Sequence, residues 1–236
     1  MGRAHEVRAK AMAATAAARS ALFMRASKEI YMAAKSGEPD PSMNLALRSA
    51  IEKWKGQNVT KDVIERAIQK AKGGSAESYT AGRYEFMAQG NSSIIVDTLT
   101  DNTNRAYVGV RTAVTKKGGK QGAVLFNFTE AGVLEFKGTN KDEIEETLIM
   151  NDVDVNSVEL DEDYIVVNVA PTALNAAKEA LKELGIEEFE TAEIQMVPND
   201  YVELSGEDAE KFRNILDSLD EVEDVQAVWH NVKFAD

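Results

Sequence analysis

The sequence predicts an α+β protein, with an N-terminal helical bundle followed by small sandwich-like α/β domains. Apolar residues recur at helical spacing through residues 1–75, which is typical of packed helices. From about residue 80 onward, short segments with alternating apolar residues indicate strands, and helical segments interrupt them in mixed order. Because strict βαβ repetition is absent, this order favours α+β over a doubly wound parallel sheet. The linker between the two regions is expected at Gly73-Gly74-Ser75.

Three helices are expected in the first region. Residues 4–36 are rich in strong helix formers and carry one apolar stripe, made of Leu22, Phe23, Ala26, Ile30 and Ala33. After Gly37 as a C-cap and a rigid turn at Pro39 and Pro41, a second helix should run over about 42–57 and bury Trp54. A third helix should follow Thr60 as N-cap and end at Gly73-Gly74.

The remaining chain is expected to alternate between strands and helices. The first group comprises strands 83–89 and 92–100, helix 102–117, and strands 122–129 and 133–137 with a turn at 130–132. The second group comprises helix 140–151, strands 153–160 and 163–170, helix 171–184 and strand 188–197. The last group comprises strand 200–204, helix 206–219 and strand 222–234.

The composition excludes several classes of site. The 236 residues include no cysteine, which removes disulfides, zinc-thiolate sites, iron–sulfur clusters and thiol catalysis. The two histidines, His5 and His230, are too few for a multi-histidine metal site in one chain. No phosphate-binding, dinucleotide or nucleophile motif is present, so we expect neither an enzyme nor a cofactor. Without a secretory pattern or an apolar span, the sequence predicts a cytoplasmic protein with no membrane partner.

The charge is distributed unevenly along the chain. The net charge is −13, yet residues 1–75 carry 14 Lys and Arg against 7 Asp and Glu. Residues 138–236 carry 6 basic and 27 acidic residues. A basic head on an acidic body indicates a polyanion partner for the head, although an acidic surface also simply keeps a protein soluble. The acidic region could alternatively dock on a basic protein partner.

Several short motifs occur together in a specific order. They are Lys28-Glu29-Ile30-Tyr31, Ala33-Ala34-Lys35, Pro39-Asp40-Pro41, Lys61-Asp62, Ile64–Ile68, Thr100–Arg105, Val110-Arg111 and Lys117-Gly118-Gly119. In this order and spacing the chain resembles the YebC/PmpR family, whose mitochondrial relatives are translational activators of cytochrome c oxidase. The resemblance implies three domains: 1–75, then 80–137 together with 200–236, and an inserted acidic domain at 138–199. The start of the chain departs from the family pattern, because Gly2-Arg3-Ala4-His5 lacks the usual Lys-Trp.

The resemblance implies regulation linked to nucleic acid and leaves the level of regulation open. Some family members are described as DNA-binding transcriptional regulators, and others as ribosome-associated factors that ease synthesis of proline-rich stretches. No helix shows the Arg, Asn and Gln cluster that base readout in duplex DNA requires. Recognition of RNA by shape needs fewer such side chains. We therefore favour a ribosome-associated translation factor, with a DNA-binding regulator and a protein–protein adaptor as alternatives.

The predicted helix 102–117 carries the main candidate nucleic-acid-binding residues. At helical spacing, Arg105, Gly109, Thr112 and Lys116 share one face, on which the glycine would let a sugar–phosphate strand approach. The candidate set also includes Asn102, Arg111, Lys117 and Lys120. The structural alternative is that these cations complement the helix C-terminus and that Gly118-Gly119 is a cap. Asp101 is the expected N-cap, with Asn102 contacting RNA as the alternative.

Three further candidates lie on the first predicted helix. Arg25, Lys28 and Lys35 fall roughly opposite its apolar stripe, so we expect a solvated face that could also contact phosphates. Tyr31 could stack on a base, whereas Trp54 should pack in the bundle. The acidic residues of 152–163 do not match a calcium loop, because Ser157 replaces the required glycine and Asp163 the final glutamate.

Overall fold

The computed structural model describes residues 16–74 and 77–235, with side chains from Arg19 onward. The expected helix start near residue 4 and the N-terminal departure from the family pattern lie outside these residues. Within them, the α+β class is confirmed, with a helical N-terminal region and antiparallel four-stranded sheets. None of the helices in the described ranges is both long and apolar enough to cross a membrane.

Three helices form the N-terminal head: α1 (Ala16–Lys35), α2 (Leu45–Gly56) and α3 (Lys61–Lys72). They enclose their own apolar core, in which Ile30 and Trp54 are almost fully buried. Helix α2 begins later than expected because Asn44 is its N-cap: its side-chain oxygen accepts a hydrogen bond from the Leu47 amide at 3.0 Å. The same side chain donates to the carbonyls of Ala33 and Glu38, which fixes the turn between α1 and α2.

The second domain is built around a sheet with strand order β3-β1-β2-β9. Its strands are β1 (Thr80–Met87), β2 (Ser93–Thr100), β3 (Lys120–Gln121) and β9 (Val225–His230). Helices α4 (Thr103–Thr115) and α7 (Gly206–Asp220) contribute to one core with the sheet. The expected single strand 222–234 is divided, because β10 (Val232–Phe234) leaves the sheet to pair in parallel with β8 (Val202–Leu204).

The inserted unit comprises residues 129–197 and has a separate core. Its elements are β4 (Phe128–Lys137), α5 (Lys141–Met150), β5 (Val155–Asp161), β6 (Tyr164–Val169), α6 (Leu174–Lys182) and β7 (Thr191–Pro198). The sheet has the order β5-β6-β4-β7. Because β4 pairs with β6 from Gly132 to Lys137, this strand belongs to the inserted unit, which begins earlier than the expected boundary at 138.

The sequence prediction is wrong around the start of β4. Residues 128–137 form one continuous strand, with no turn at 130–132. The expected strand 122–129 is instead a loop that contains a 3-10 turn, Leu125–Asn127. The amides of Val124 and Leu125 donate to the Glu85 carboxylate at 2.6 and 2.7 Å, and these bonds replace strand pairing.

Candidate nucleic-acid interface

Helix α4 is capped by Asn102, whose side-chain oxygen accepts a hydrogen bond from the Arg105 amide at 3.0 Å. The expectation that Asp101 is the cap is wrong. Asn and Asp are both favoured at this position, so the sequence alone does not choose between two adjacent residues. Asp101 instead forms an ion pair with the Arg105 guanidinium at 2.8 Å. The Asn102 carboxamide oxygen is therefore occupied by the hydrogen bond that caps the helix.

The Arg105 side chain is directed at a buried carboxylate. Its Nε and Nη2 donate to the two oxygens of Asp224 at 2.9 and 2.8 Å, in a bidentate arrangement. Asp224 is only 2% exposed, whereas about half of the Arg105 side chain reaches solvent. Hydrogen bonds to Asp224 and Asp101 raise the pKa of Arg105 above its ordinary value.

Lys28 approaches the same carboxylate from α1. Its Nζ lies 3.1 Å from Asp224 Oδ1 and also donates to the carbonyls of Leu99 and Glu223 at 3.3 Å. All three ammonium donors are thus engaged, and the residue is only 8% exposed. The expectation that Lys28 lies on a solvated face of α1 is wrong, because this side of the helix packs against the second domain.

Arg25 is also taken up by this contact. Its Nη2 donates to the Asp220 carbonyl at 2.9 Å, and its Nη1 lies 3.8 Å from the Asp220 carboxylate. Burial lowers the pKa of Arg25, and the charge of Asp220 opposes that shift. The expectation of a solvated Arg25 is therefore wrong for the same reason. We call Arg25, Lys28, Arg105, Asp220 and Asp224 the ionic clasp.

The protonation of Asp224 follows from two opposing effects. Burial by itself would raise the pKa of this carboxyl, since the charged form loses hydration. Hydrogen bonds from Arg105, Lys28 and Thr100 outweigh that effect, so the pKa is lowered from its ordinary value. The clasp therefore contains an ionised carboxylate at neutral pH. Its cations are compensated within the protein and are poor candidates for phosphate contacts.

A different group of cations remains available at the end of α4. Arg111, Lys116, Lys117 and Lys120, which we call the α4 basic cluster, are all exposed. None of them forms an ion pair with another residue in the described part of the chain. The structure thus separates the candidate residues of this region into the compensated Arg105 and four uncompensated cations.

The loop that carries three of these cations has a defined conformation. Gly118 adopts a positive φ of 91°, which favours glycine, and the Gly119 amide donates to the Val114 carbonyl at 3.1 Å. The Gln89 side chain donates to the Lys117 carbonyl at 3.0 Å. The two glycines are therefore a helix cap, as the structural alternative proposed, and the same cap holds the lysines at the surface.

Gly109 serves packing within the domain. A Cβ added there would lie 3.3 Å from Val222 Cγ1, so the missing side chain admits the segment after α7. Gly109 is nevertheless only half-buried and lines an open groove with Thr112 and Lys116, so the approach of a sugar–phosphate strand at this glycine stays a prediction. The face of Arg105, Gly109, Thr112 and Lys116 is thus bordered by Val222 on one side and is open along Gly109, Thr112 and Lys116.

The head contributes less to the interface than expected. Lys35 is exposed, with its Nζ 5.7 Å from the centroid of the Tyr31 ring. It lies seven residues beyond Lys28, or about 10 Å along α1, and remains a predicted phosphate contact. Tyr31 is 1% exposed and cannot stack on a base. Trp54 packs in the bundle as expected, and its Nε1 donates to Glu29 at 3.0 Å.

Two residues that matter for the site, Asp224 and Phe126, were not singled out by the sequence patterns considered above. Asp224 is one of 40 acidic residues, and nothing local marks it as the centre of a clasp. Phe126 was expected in a strand, yet it is 75% exposed on the 3-10 turn before β4. Across the described residues, no group of three or more His, Asp and Glu could hold a metal ion.

Comparison with known proteins places the whole fold in one family. Residues 3–74 match the TACO1/YebC N-terminal domain, and residues 79–232 match the TACO1/YebC second and third domain. The chain is 52% identical over 234 residues to a probable transcriptional regulatory protein of Mesoplasma florum, covering 98% of this chain and 99% of that one. It is 45% identical over 236 residues to a probable transcriptional regulatory protein of Mycoplasma capricolum, covering 99% and 100%.

A solved structure supports the same assignment. The crystal structure of a conserved hypothetical protein from Aquifex aeolicus superposes with a TM-score of 0.78 at 33% identity. The match covers 95% of this chain and 94% of the Aquifex protein. The sequence families and the fold agree over nearly the full length, and the chain belongs to the TACO1/YebC family.

Proposed function

We propose that the protein is a nucleic-acid-binding regulator of gene expression that acts in the cytoplasm as a ribosome-associated translation factor. In this role it contacts structured RNA and eases synthesis of proline-rich stretches, as the YebC/PmpR resemblance implies. The observation that carries the proposal is the α4 basic cluster: four exposed cations without ion-pair partners in the described chain, on a protein of net charge −13. The function as proposed involves no cofactor and no enzymatic step.

The type of contact supports RNA over sequence-specific duplex DNA. A helix that reads base edges presents Arg, Asn or Gln from its first turns into the major groove. In α4 two of the three such residues are engaged, since Asn102 caps the helix and Arg105 pairs with Asp224, whereas Asn104 is left exposed in the first turn. What remains exposed is lysine-rich and suits phosphates, whose contacts position a nucleic acid without reading its sequence. Structured RNA is recognised largely in this way.

A transcriptional regulator is the second candidate. It is favoured by the relatives from Mesoplasma florum and Mycoplasma capricolum, which are both named probable transcriptional regulatory proteins. This candidate predicts saturable binding to duplex DNA with a sequence preference. It would also require a base-reading element in addition to Asn104, which is exposed in the first turn of α4.

Co-sedimentation with purified ribosomes, in a salt titration and with competing duplex DNA, tests the proposal. We expect retention at about 150 mM salt that excess DNA does not displace. Replacement of Lys116, Lys117 and Lys120 by Ala should weaken binding and reduce the slope of log affinity against log salt by about 2, since each phosphate contact contributes about 0.7 for single strands. The matched control replaces Lys137, Lys141 and Lys182, which changes the net charge equally and should preserve binding.

Three results would contradict the proposal. Absence of ribosome binding together with sequence-dependent duplex binding would favour the transcriptional regulator. Ribosome binding that survives loss of the three cluster lysines would favour an adaptor that docks through the acidic region. An equal loss of binding in the control variant would attribute the effect to net charge and not to the cluster.

A further inference from the structure

Phe126 is an exposed aromatic residue without a visible structural role. It is 75% exposed, and among the large apolar residues that the structure describes only Met43 and Met150 are more exposed. Its ring makes no aromatic or cation–π contact within the described residues. Single apolar residues at a surface are common, so exposure alone assigns nothing. The surroundings of the ring decide what it can do.

The turn that carries Phe126 is held on both sides. The Glu85 carboxylate accepts hydrogen bonds from the Val124 and Leu125 amides, directly before the ring. The Asn199 side chain donates to the Phe126 carbonyl at 3.2 Å, and the Asn199 amide donates to the Asn127 carbonyl at 2.9 Å. A backbone already fixed in this way loses little conformational entropy when the ring binds a partner.

The same surface carries a lysine of the α4 basic cluster. Lys120 pairs with Met87 in the β3–β1 register, and Glu85 lies two residues earlier on β1. Since alternate residues of a strand share a face, Lys120 and the turn bound by Glu85 lie on the same side of the sheet. Glu85 and Met87, the two β1 residues that contact the turn and pair with Lys120, respectively, are about 7 Å apart along the strand. Lys117 precedes Lys120 in the same loop.

An exposed ring on a fixed turn, on the same side of the sheet as a lysine, suits an unpaired nucleobase more than a protein. Proteins that bind single strands combine cations that contact the backbone with aromatic rings on which bases stack. A protein interface of ordinary size needs about 800 Å² per partner and is depleted in lysine, whereas the turn that carries this ring lies on the same side of the sheet as Lys120. A fully paired duplex offers no free base face to the ring. The surroundings of Phe126 therefore favour single-stranded nucleic acid as the partner.

We propose that Phe126 is a stacking platform for an unpaired base, with Lys117 and Lys120 contacting the adjacent phosphates. This inference rests on the proposed function and specifies it: the preferred target is an unpaired loop, bulge or end within structured RNA. The lysines supply affinity that depends on salt, and the ring supplies selectivity for single-stranded over paired segments.

Binding to two RNA hairpins tests the platform. One hairpin has an unpaired loop with 2-aminopurine at one position, and the other replaces that loop segment by paired residues. We expect the Phe126→Ala variant to bind the unpaired hairpin about 5- to 150-fold more weakly, the range that corresponds to stacking of one base. Its affinity for the paired hairpin and its salt slope should not change, and the quenching of 2-aminopurine should be lost.

Two further variants keep the test specific. Phe126→Trp should retain both the affinity and the quenching, because it preserves an aromatic face. Met43→Ala removes a similarly exposed apolar side chain from the head and should leave binding unchanged. Thermal unfolding of Phe126→Ala should match that of the unmodified protein, since the removed ring is mainly in solvent.

The outcomes distinguish this inference from the function beneath it. If the unmodified protein binds neither hairpin, the proposed function itself fails. If it binds both and Phe126→Ala binds them with unchanged affinity, the platform is refuted and the RNA-binding function stands. If Phe126→Ala loses affinity for both hairpins equally, the ring is not selective for unpaired bases, and the inference is likewise overturned.

Discussion

Removal of the Asp224 carboxylate should destabilise the unit that contains the head and the second domain. The Asp224→Ala variant leaves Lys28 buried with only two carbonyl acceptors and deprives Arg105 of its bidentate partner. Breaking a buried ion pair by deleting one partner costs about 3–5 kcal/mol, because the remaining charge loses hydration without compensation. We expect a loss of that size in the free energy of unfolding.

The exposed side of the clasp should matter less. Arg105→Ala leaves Asp224 paired with Lys28, and about half of the removed side chain was in solvent, so we expect a cost of about 1–2 kcal/mol. Arg66→Ala is the control, because it breaks an exposed ion pair with Asp62 and should cost under about 0.5 kcal/mol. The expected order of destabilisation therefore follows the burial of the orphaned charge.

Urea unfolding followed by tryptophan fluorescence measures these differences directly. The two tryptophans of the sequence, Trp54 and Trp229, both lie in the compact unit that contains the clasp, so the signal reports on that unit. The double variant Asp224→Ala with Lys28→Met should cost less than the sum of the two single changes, since no buried charge is then orphaned. A cost of Asp224→Ala equal to that of Arg66→Ala would refute the burial argument.

Three other predictions test separate parts of the structure. Because the pKa of Asp224 is lowered, its stabilisation is complete above the unfolded value of about 3.9 and is lost as pH falls through the lower folded value. Unfolding measured below about pH 4 should therefore depend less steeply on pH in Asp224→Ala than in the unmodified protein. Asn102→Ala should lower the free energy of unfolding by about 1 kcal/mol, because it removes the α4 cap, whereas Asn102→Asp should retain most of that stability. Equal losses of stability in the two variants, measured by thermal unfolding, would contradict the role of Asn102 as the cap. Gly119→Ala should cost about 1–3 kcal/mol in the same assay, because the added Cβ would overlap the Val114 side chain, and a neutral result would contradict that packing.

The sequence determined the elements whose signals are local. Helices α1 to α3, α4 and α7 follow from apolar spacing and from residues that stop helices, and the structure confirms their type, with shifts of a few residues at the ends that it describes. The α+β class follows from the mixed order of these elements. Such features depend on residues within one or two turns of each other, so periodicity is sufficient to find them. The exposure of Lys116 and Lys117 was predictable for the same reason.

The tertiary structure alone decided the features that join distant residues. Lys28 and Asp224 are 196 positions apart, and a lysine opposite the apolar stripe of its helix has the same local pattern whether it faces water or another domain. The pairing of β4 with β6 moved the start of the inserted unit, because strand partners are not encoded in the strand itself. The turn of Phe126 is fixed by Glu85 and Asn199, which lie far from it in sequence. In each case the physical cause is a contact whose partners become neighbours only when the chain has folded.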